Sequence, residues 1–238
     1  YRSRILLVVF SFSFLGFLLT ARASIQPIDN LVTNHVYVHP YDSLYLKGKV
    51  HVVLLTTTSK NLYKTIIREH RYDFVTIVQR GKSLYIKART KSEREKGSYV
   101  TIHLPVGRLY KLYLKGESSV AGRHIVTNHL VVDSDTSGML SLSGHLQVGS
   151  ITKKGSGALT LQGIFGKKIY LRLYGGVSLL MGKASFLYAE VGGKARLYAQ
   201  HLQVKNMIMS TDSMARATVN VINLARIFAW KKSRVVLN

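Results

Sequence analysis

Few residues in this chain of 238 have a type and spacing that could do chemistry. Asp133-Ser134-Asp135-Thr136-Ser137-Gly138 is the densest acidic cluster. Its Asp-x-Asp-x-Ser-Gly pattern matches the opening of a calcium loop, where alternating oxygens converge on the ion and glycine permits a sharp turn. Such a loop needs a bidentate Glu at its twelfth position, and Gly144 stands there. The segment reads instead as a turn whose Asp and Ser side chains bond the backbone. Asp135-Thr136-Ser137 lacks the glycine and the second copy that an aspartic-protease carboxylate pair would need. The nine His are scattered, with no His-Glu-x-x-His spacing. His129 and His145 open successive units and could stack on adjacent coils, though they read more simply as repeat-turn residues. No serine sits in a nucleophile elbow. Gly155-Ser156-Gly157 has neither a following helix nor the Lys-Ser/Thr of a phosphate-cradling loop. The absence of Cys excludes thiolate catalysis, disulfides and Cys-ligated zinc. The expectation is a non-enzyme with no cofactor and no metal.

The informative side chains are those expected to face outward. Lys and Arg outnumber Asp and Glu 34 to 11, a formal charge of +23, which attracts polyanions and says nothing about fold. In a series of short runs the middle residues are Ser141, Thr160, Ser178, Arg196 and Arg216, ending at Val236 with Arg234 beside it. If the runs stack in register, these residues form a column stepping about 4.8 Å, hydroxyl-rich at one end and cationic at the other. Tyr113, Tyr170, Arg172 and Tyr188 come from neighbouring runs, with Lys111, Lys115, Lys167 and Lys168 close by in sequence. Tyrosine interleaved with Lys and Arg suits a face that stacks on sugars or bases while pairing with anions. Arg196, Arg216, Arg234, Tyr170, Arg172 and Tyr113 are the candidate ligand-binding residues.

Several elements must position these residues. Residues 1–23 read as a secretory signal: Arg2 and Arg4, then an apolar stretch from Ile5 to Leu19, then Ala21-Arg22-Ala23 as a small-x-small cleavage site. The apolar stretch falls short of the ~20 residues needed to span a bilayer. An uncleaved anchor is the alternative. From residue 24 to 105, period-two runs such as Leu44-Tyr45-Leu46, Val50-His51-Val52, Leu84-Tyr85-Ile86 and Val100-Thr101-Ile102 predict strands, and charged Arg89 to Gly97 predicts a hairpin loop. From 106 to 238 the chain repeats. Leu140-Ser141-Leu142, Leu159-Thr160-Leu161, Val177-Ser178-Leu179, Ala195-Arg196-Leu197, Ala215-Arg216-Ala217 and Val235-Val236-Leu237 recur every 18 to 20 residues, most of them after glycine. Each unit also carries an upstream partner strand, such as Leu130-Val131-Val132 or Ile169-Tyr170-Leu171. A short two-strand unit cannot bury its own apolar face, whereas stacked units can, so the repeat predicts an all-β solenoid. Ile227 to Lys232, with the only Trp, is expected to cap the end, with membrane-surface contact as the alternative.

The strands Val36 to Leu46, Val50 to Leu54, Leu84-Tyr85-Ile86 and Val100 to Pro105, followed by Leu112-Tyr113-Leu114-Lys115-Gly116-Glu117-Ser118-Ser119 and the Gly-punctuated repeats, resemble the GIN-domain family. That family, a domain of unknown function, is described as "putative auto-transporter adhesin" head domains. The resemblance implies a right-handed parallel β-helix-like fold in an exported bacterial protein, periplasmic, outer-membrane-associated or extracellular, and carries over no catalytic residues. The chain is more basic than that family's usual pattern. The expectation is an adhesin-type envelope module of uncharacterised ligand, meeting an anionic glycan, lipopolysaccharide or protein, with peripheral membrane association as a further option and no specific nucleic acid; the alternative is a polyanion-binding module that takes acidic glycan, lipopolysaccharide or nucleic acid on its basic Tyr/Arg face.

Overall fold

The computed structural model describes residues 32–56, 64–69, 73–90 and 100–238. The signal at 1–23 and most of the loop at 89–97 lie outside the described residues, although Arg89 and Thr90 close a strand. The described residues contain no helix. The strands are β1 (Val32–Tyr37), β2 (Ser43–Lys47), β3 (Val50–Thr56), β4 (Lys64–Glu69), β5 (Asp73–Arg80), β6 (Ser83–Thr90), β7 (Val100–Val106) and β8 (Lys111–Gly116). Long strands follow: β9 (Ser119–Thr136), β10 (Leu140–Lys153), β11 (Ala158–Leu173), β12 (Val177–Val191), β13 (Arg196–Thr211), β14 (Arg216–Ala229), and the short β15 (Arg234–Leu237).

Consecutive long strands pair in parallel from β9 to β15, giving a β-solenoid of about 6 turns. Each long strand is most of one coil, not two separate strands as the sequence suggested. β10 shows how: its register to β9 and β11 slips near 143–146 and again near 147–150, where the backbone bends. The run before these slips lies on what we call the leading face, and the run after them on the trailing face. Leu146-Gln147-Val148 does not stack on Leu130-Val131-Val132 as one run: Leu146 opposes Thr127, Val148 opposes Leu130 and Ser150 opposes Val131.

Alternation of side chains sends every second residue inward, and parallel pairing stacks like on like. On the trailing face Leu84, Leu44, Leu112, Val132, Ile151, Leu171, Ala189 and Met209 form one inward column, all buried. Each large member contributes on the order of 1.5–3 kcal/mol by leaving water. The turns between coils are close-packed as well. A Cβ on Gly157 would sit 1.8 Å from the carbonyl oxygen of Gly138 in the previous coil.

The first coils are not added in chain order. β2 pairs in parallel with both β6 and β8, and β3 with both β7 and β9. The coil made of β2 and β3 therefore lies between the coil of β6 and β7 and the coil that begins with β8. Beyond it, β4 and β5 run antiparallel to β7 and β6, and β1 antiparallel to β4. These strands cover the outer edge of the first coil, whose unpaired N–H and C=O groups would otherwise invite pairing by another chain. At the other end, Ile227 to Ala229 close β14, Trp230 to Lys232 turn into β15, and Phe228 and Trp230 stack at 6.1 Å and are both exposed.

Candidate functional site

On the leading face the ladder places Val177, Arg196, Arg216 and Arg234 in one outward column. All three arginines are exposed, no acidic residue shares their column, and no ion pair involves them among the described residues. Ser178 does not belong to this column. It stands one position along, between Leu159 and Leu197, and is 1% exposed with no partner for its hydroxyl among the described residues. Ser141 and Thr160 are in register with each other, but their column continues through Leu179, Tyr198 and Thr218. The expected single column is thus split over two outward columns, with Ser178 on the inward one between them. The phase was ambiguous because Val177-Ser178-Leu179-Leu180 is nearly apolar throughout, and pairing with β11 decided it.

The remaining candidates lie on the trailing face. Tyr170 stacks on Tyr188 at 5.2 Å with planes 12° apart, and Phe186 continues the stack at 5.3 Å. Arg172 is not a free cation: its Nε lies 3.7 Å from Glu190, the acid directly in register with it. The same carboxylate accepts a 2.8 Å hydrogen bond from the Tyr174 hydroxyl, which holds that phenol above its ordinary pKa. Tyr113 shares a column with Arg172, separated by Asp133 and Thr152. The six candidate residues therefore occupy two faces and do not converge. His129 and His145 do not stack on each other either. His129 stacks near Tyr110 at 5.9 Å, and His145 stacks on Phe165 at 3.9 Å. No group of three or more His, Asp or Glu suited to a metal ion occurs among the described residues.

Around Tyr113 the structure assembles more than the sequence reading collected. Ser43-Leu44-Tyr45-Leu46-Lys47, Ser83-Leu84-Tyr85-Ile86-Lys87 and Lys111-Leu112-Tyr113-Leu114-Lys115 are three copies of one pentapeptide pattern. They stack in the order β6, β2, β8 with tyrosine on tyrosine and lysine on lysine. The inward Leu at the second position and the Leu or Ile at the fourth hold each copy in register by burial, leaving Tyr and the last Lys facing outward. Tyr45 and Tyr85 stack at 4.6 Å and 13°, and Tyr113 follows at 5.9 Å and 40°. Arg80 lies over the Tyr85 ring at 6.0 Å and Lys111 over Tyr45 at 5.5 Å. With Thr76 and Val78 of β5 as a side wall, Arg80, Tyr85, Lys87, Tyr45, Lys47 and Tyr113 line a shallow groove of about 390 Å³ that has no carboxylate in its lining. The repeated pentapeptide was visible in the sequence. Its copies start at 43, 83 and 111, which is not the 18-to-20-residue period of the later coils.

The similarities to known proteins follow the fold. Among curated protein sequences, none matches this chain. Solved structures do. A putative adhesin from Bacteroides fragilis NCTC 9343 superposes with a TM-score of 0.71 at 12% identity, over 89% of this chain and 99% of that one. A protein described as a putative lipid binding protein from Parabacteroides distasonis ATCC 8503 gives a TM-score of 0.63 at 12% identity, over 87% and 94%. A putative adhesin from Parabacteroides merdae ATCC 43184 gives 0.55 at 11%, over 88% and 96%. At these identities the likeness is one of fold. At the level of sequence families, residues 40–237 match the family described as "Putative auto-transporter adhesin, head GIN domain", and the chain belongs to that family.

Proposed function

We propose that this chain is an exported, non-enzymatic adhesin-type module that holds an anionic polymer of the cell envelope against the side of its solenoid. The carrying observation is the in-register column Arg196, Arg216, Arg234, exposed and without acidic partners among the described residues. Like charges stacked at a strand spacing of about 4.8 Å repel one another, and a bound polyanion offsets that repulsion. Family membership and the adhesin-like fold support the same role. A second reading, contact with a membrane surface, has its own support in exposed Phe228 and Trp230 beside Lys231 and Lys232.

The test is binding of the full chain to lipopolysaccharide, acidic glycans, DNA and anionic phospholipid vesicles at low and moderate salt, with an Arg196→Ser/Arg216→Ser/Arg234→Ser variant alongside. Binding to an envelope polymer that survives moderate salt and weakens in the variant supports the reading. Equal, weak and fully salt-sensitive binding of both proteins to every polyanion refutes it. A blue shift of the single Trp on vesicles alone would favour the membrane reading.

A further inference from the structure

We propose that the groove formed by Tyr85, Tyr45 and Tyr113 with Lys87 and Lys47, and continued by Lys115 in register with Lys47, is a binding site for a linear acidic glycan lying along the solenoid axis, one sugar per coil. The proposal rests on the reading of the chain as a binder of envelope polymers, and it names where the polymer binds and what it is.

The ladder is not a by-product of the fold. Packing dictates the inward columns, which remain mostly apolar from coil to coil, with Ser134, Lys153 and Ser178 among the exceptions. The outward columns carry no such constraint, and after the third coil these two change. Tyr113 is followed by Asp133, Thr152, Arg172, Glu190, Ser210 and Phe228, and Lys115 is followed by Asp135. In these two columns tyrosine and lysine come together only on the three coils of β6, β2 and β8, and β5, paired with β6, supplies Thr76, Val78 and Arg80 to the groove beside them.

The chemistry favours an acidic sugar chain. The three lysines stand in register and none makes an ion pair among the described residues; Lys87 and Lys47 line a groove with no acid, and only Lys115 has a carboxylate, Asp135, next to it on the ladder. A row of anions at the same repeat would. The tyrosine ring faces look along the axis at one another, so the ring edges and phenol hydroxyls are what reach solvent. Those groups can exchange hydrogen bonds with sugar hydroxyls and pack against sugar C–H groups. Nucleobases need a free ring face. Here the faces are occupied by neighbouring rings and by Arg80 and Lys111. The strand repeat of about 4.8 Å is close to the length of one pyranose unit in an extended polymer, whereas stacked nucleotides repeat at about 3.4 Å. Asp133 and Asp135, in register with Tyr113 and Lys115, place negative charge past the third coil and limit an anionic chain to the three-coil segment.

The experiment measures affinity of the full chain for polygalacturonate (carboxylated), heparin (sulfated), neutral dextran and single-stranded DNA across a salt series. The comparison proteins are Lys47→Ser/Lys87→Ser/Lys115→Ser, Tyr45→Phe/Tyr85→Phe/Tyr113→Phe and the arginine triple variant above, each checked for an unchanged circular dichroism spectrum. Lys47 and Lys115 are exposed, and Phe keeps the ring stack, so neither set removes core packing. The expected result is at least tenfold tighter binding of one acidic glycan than of dextran. The lysine variant should lose at least tenfold, with a salt dependence shallower by up to about three in slope. The Phe variant should lose severalfold, and the arginine variant, whose column lies on the other face, should lose less than the lysine variant on the glycan that fills the groove. Which acidic polymer binds tells carboxylate from sulfate recognition. Wild-type affinity in the lysine variant overturns the site; if the arginine variant is then the one that loses binding, the broader reading stands without it. Equal binding of DNA overturns the glycan assignment. No preference of any acidic glycan over dextran sinks the site, and binding of lipopolysaccharide then decides the broader reading by itself.

Discussion

Lys153 offers the sharpest quantitative test of the solenoid's interior. It points inward, 1% exposed, in a column that runs Leu114, Ser134, Lys153, Leu173, Val191. Its ammonium donates to the carbonyl oxygens of Gly155, at 3.0 Å, and Gly175 in the next turn. Burial disfavours the charged form and pulls its pKa from 10.5 down to about 8. A displacement of that size corresponds to ~3 kcal/mol. The sign follows from proton counts. Between about 8 and 10.5 the unfolded chain keeps this proton while the folded chain releases it, so stability rises with pH across that window. Below about 8 both states hold the proton and the penalty is complete. From pH 7 to pH 9.5 the relief amounts to about 2 kcal/mol. The assay is a difference, so that pH effects common to both proteins cancel: urea unfolding of wild type and Lys153→Met at about pH 7, 8, 8.75 and 9.5. Wild type should gain about 2 kcal/mol on the Met variant across the series. A constant difference would show that the two carbonyl bonds hold the ammonium at its ordinary pKa, and a shrinking wild-type advantage would reverse the sign. Either result refutes the argument.

Two further substitutions test the packing. Gly157→Ala puts a methyl group onto the Gly138 carbonyl of the preceding turn, so it should lower stability by about 2–4 kcal/mol; an unchanged urea midpoint would mean that the stacked turns can part without loss. Ser178→Ala removes a buried hydroxyl without a partner among the described residues and should raise stability by about 1 kcal/mol; a loss instead would point to a buried water bonded to that oxygen.

The solenoid was legible because its cause is local: Leu140-Ser141-Leu142 and its later counterparts must alternate in and out, and one unit alone leaves its apolar side uncovered. What the sequence could not settle was phase and order. Ser178 sits in an apolar run that fits either phase, and only its pairing with Leu159 sends it inward. Arg172 looked like a free cation because Glu190, its partner, is 18 residues away in sequence and becomes adjacent only through the ladder. Tyr45 and Tyr85 were recognised as strand residues but not as neighbours of Tyr113, since nothing local says that the coil at 43–56 is inserted between the coils at 83–106 and 111–136.

The arginine column shows how register survives an irregular repeat. Val177, Arg196, Arg216 and Arg234 are separated by 19, 20 and 18 residues and still align. The differences in length are absorbed between the faces. From β13 to β14 the offset is 20 at Ala199 and Val219, falls to 17 at Gln203 and Asn220, and returns to 18 at Asn206 and Leu224. A bulge takes up a surplus residue where the backbone already bends, so the flat runs on either side keep their inward residues on the core. A one-residue slip within a flat run would turn Leu197 and Ala217 outward together with every neighbour, and burial opposes that. Insertions are therefore tolerated at the bends and resisted on the faces. That asymmetry keeps outward columns such as the arginine ladder and the tyrosine–lysine ladder aligned, whatever the length of the coil behind them.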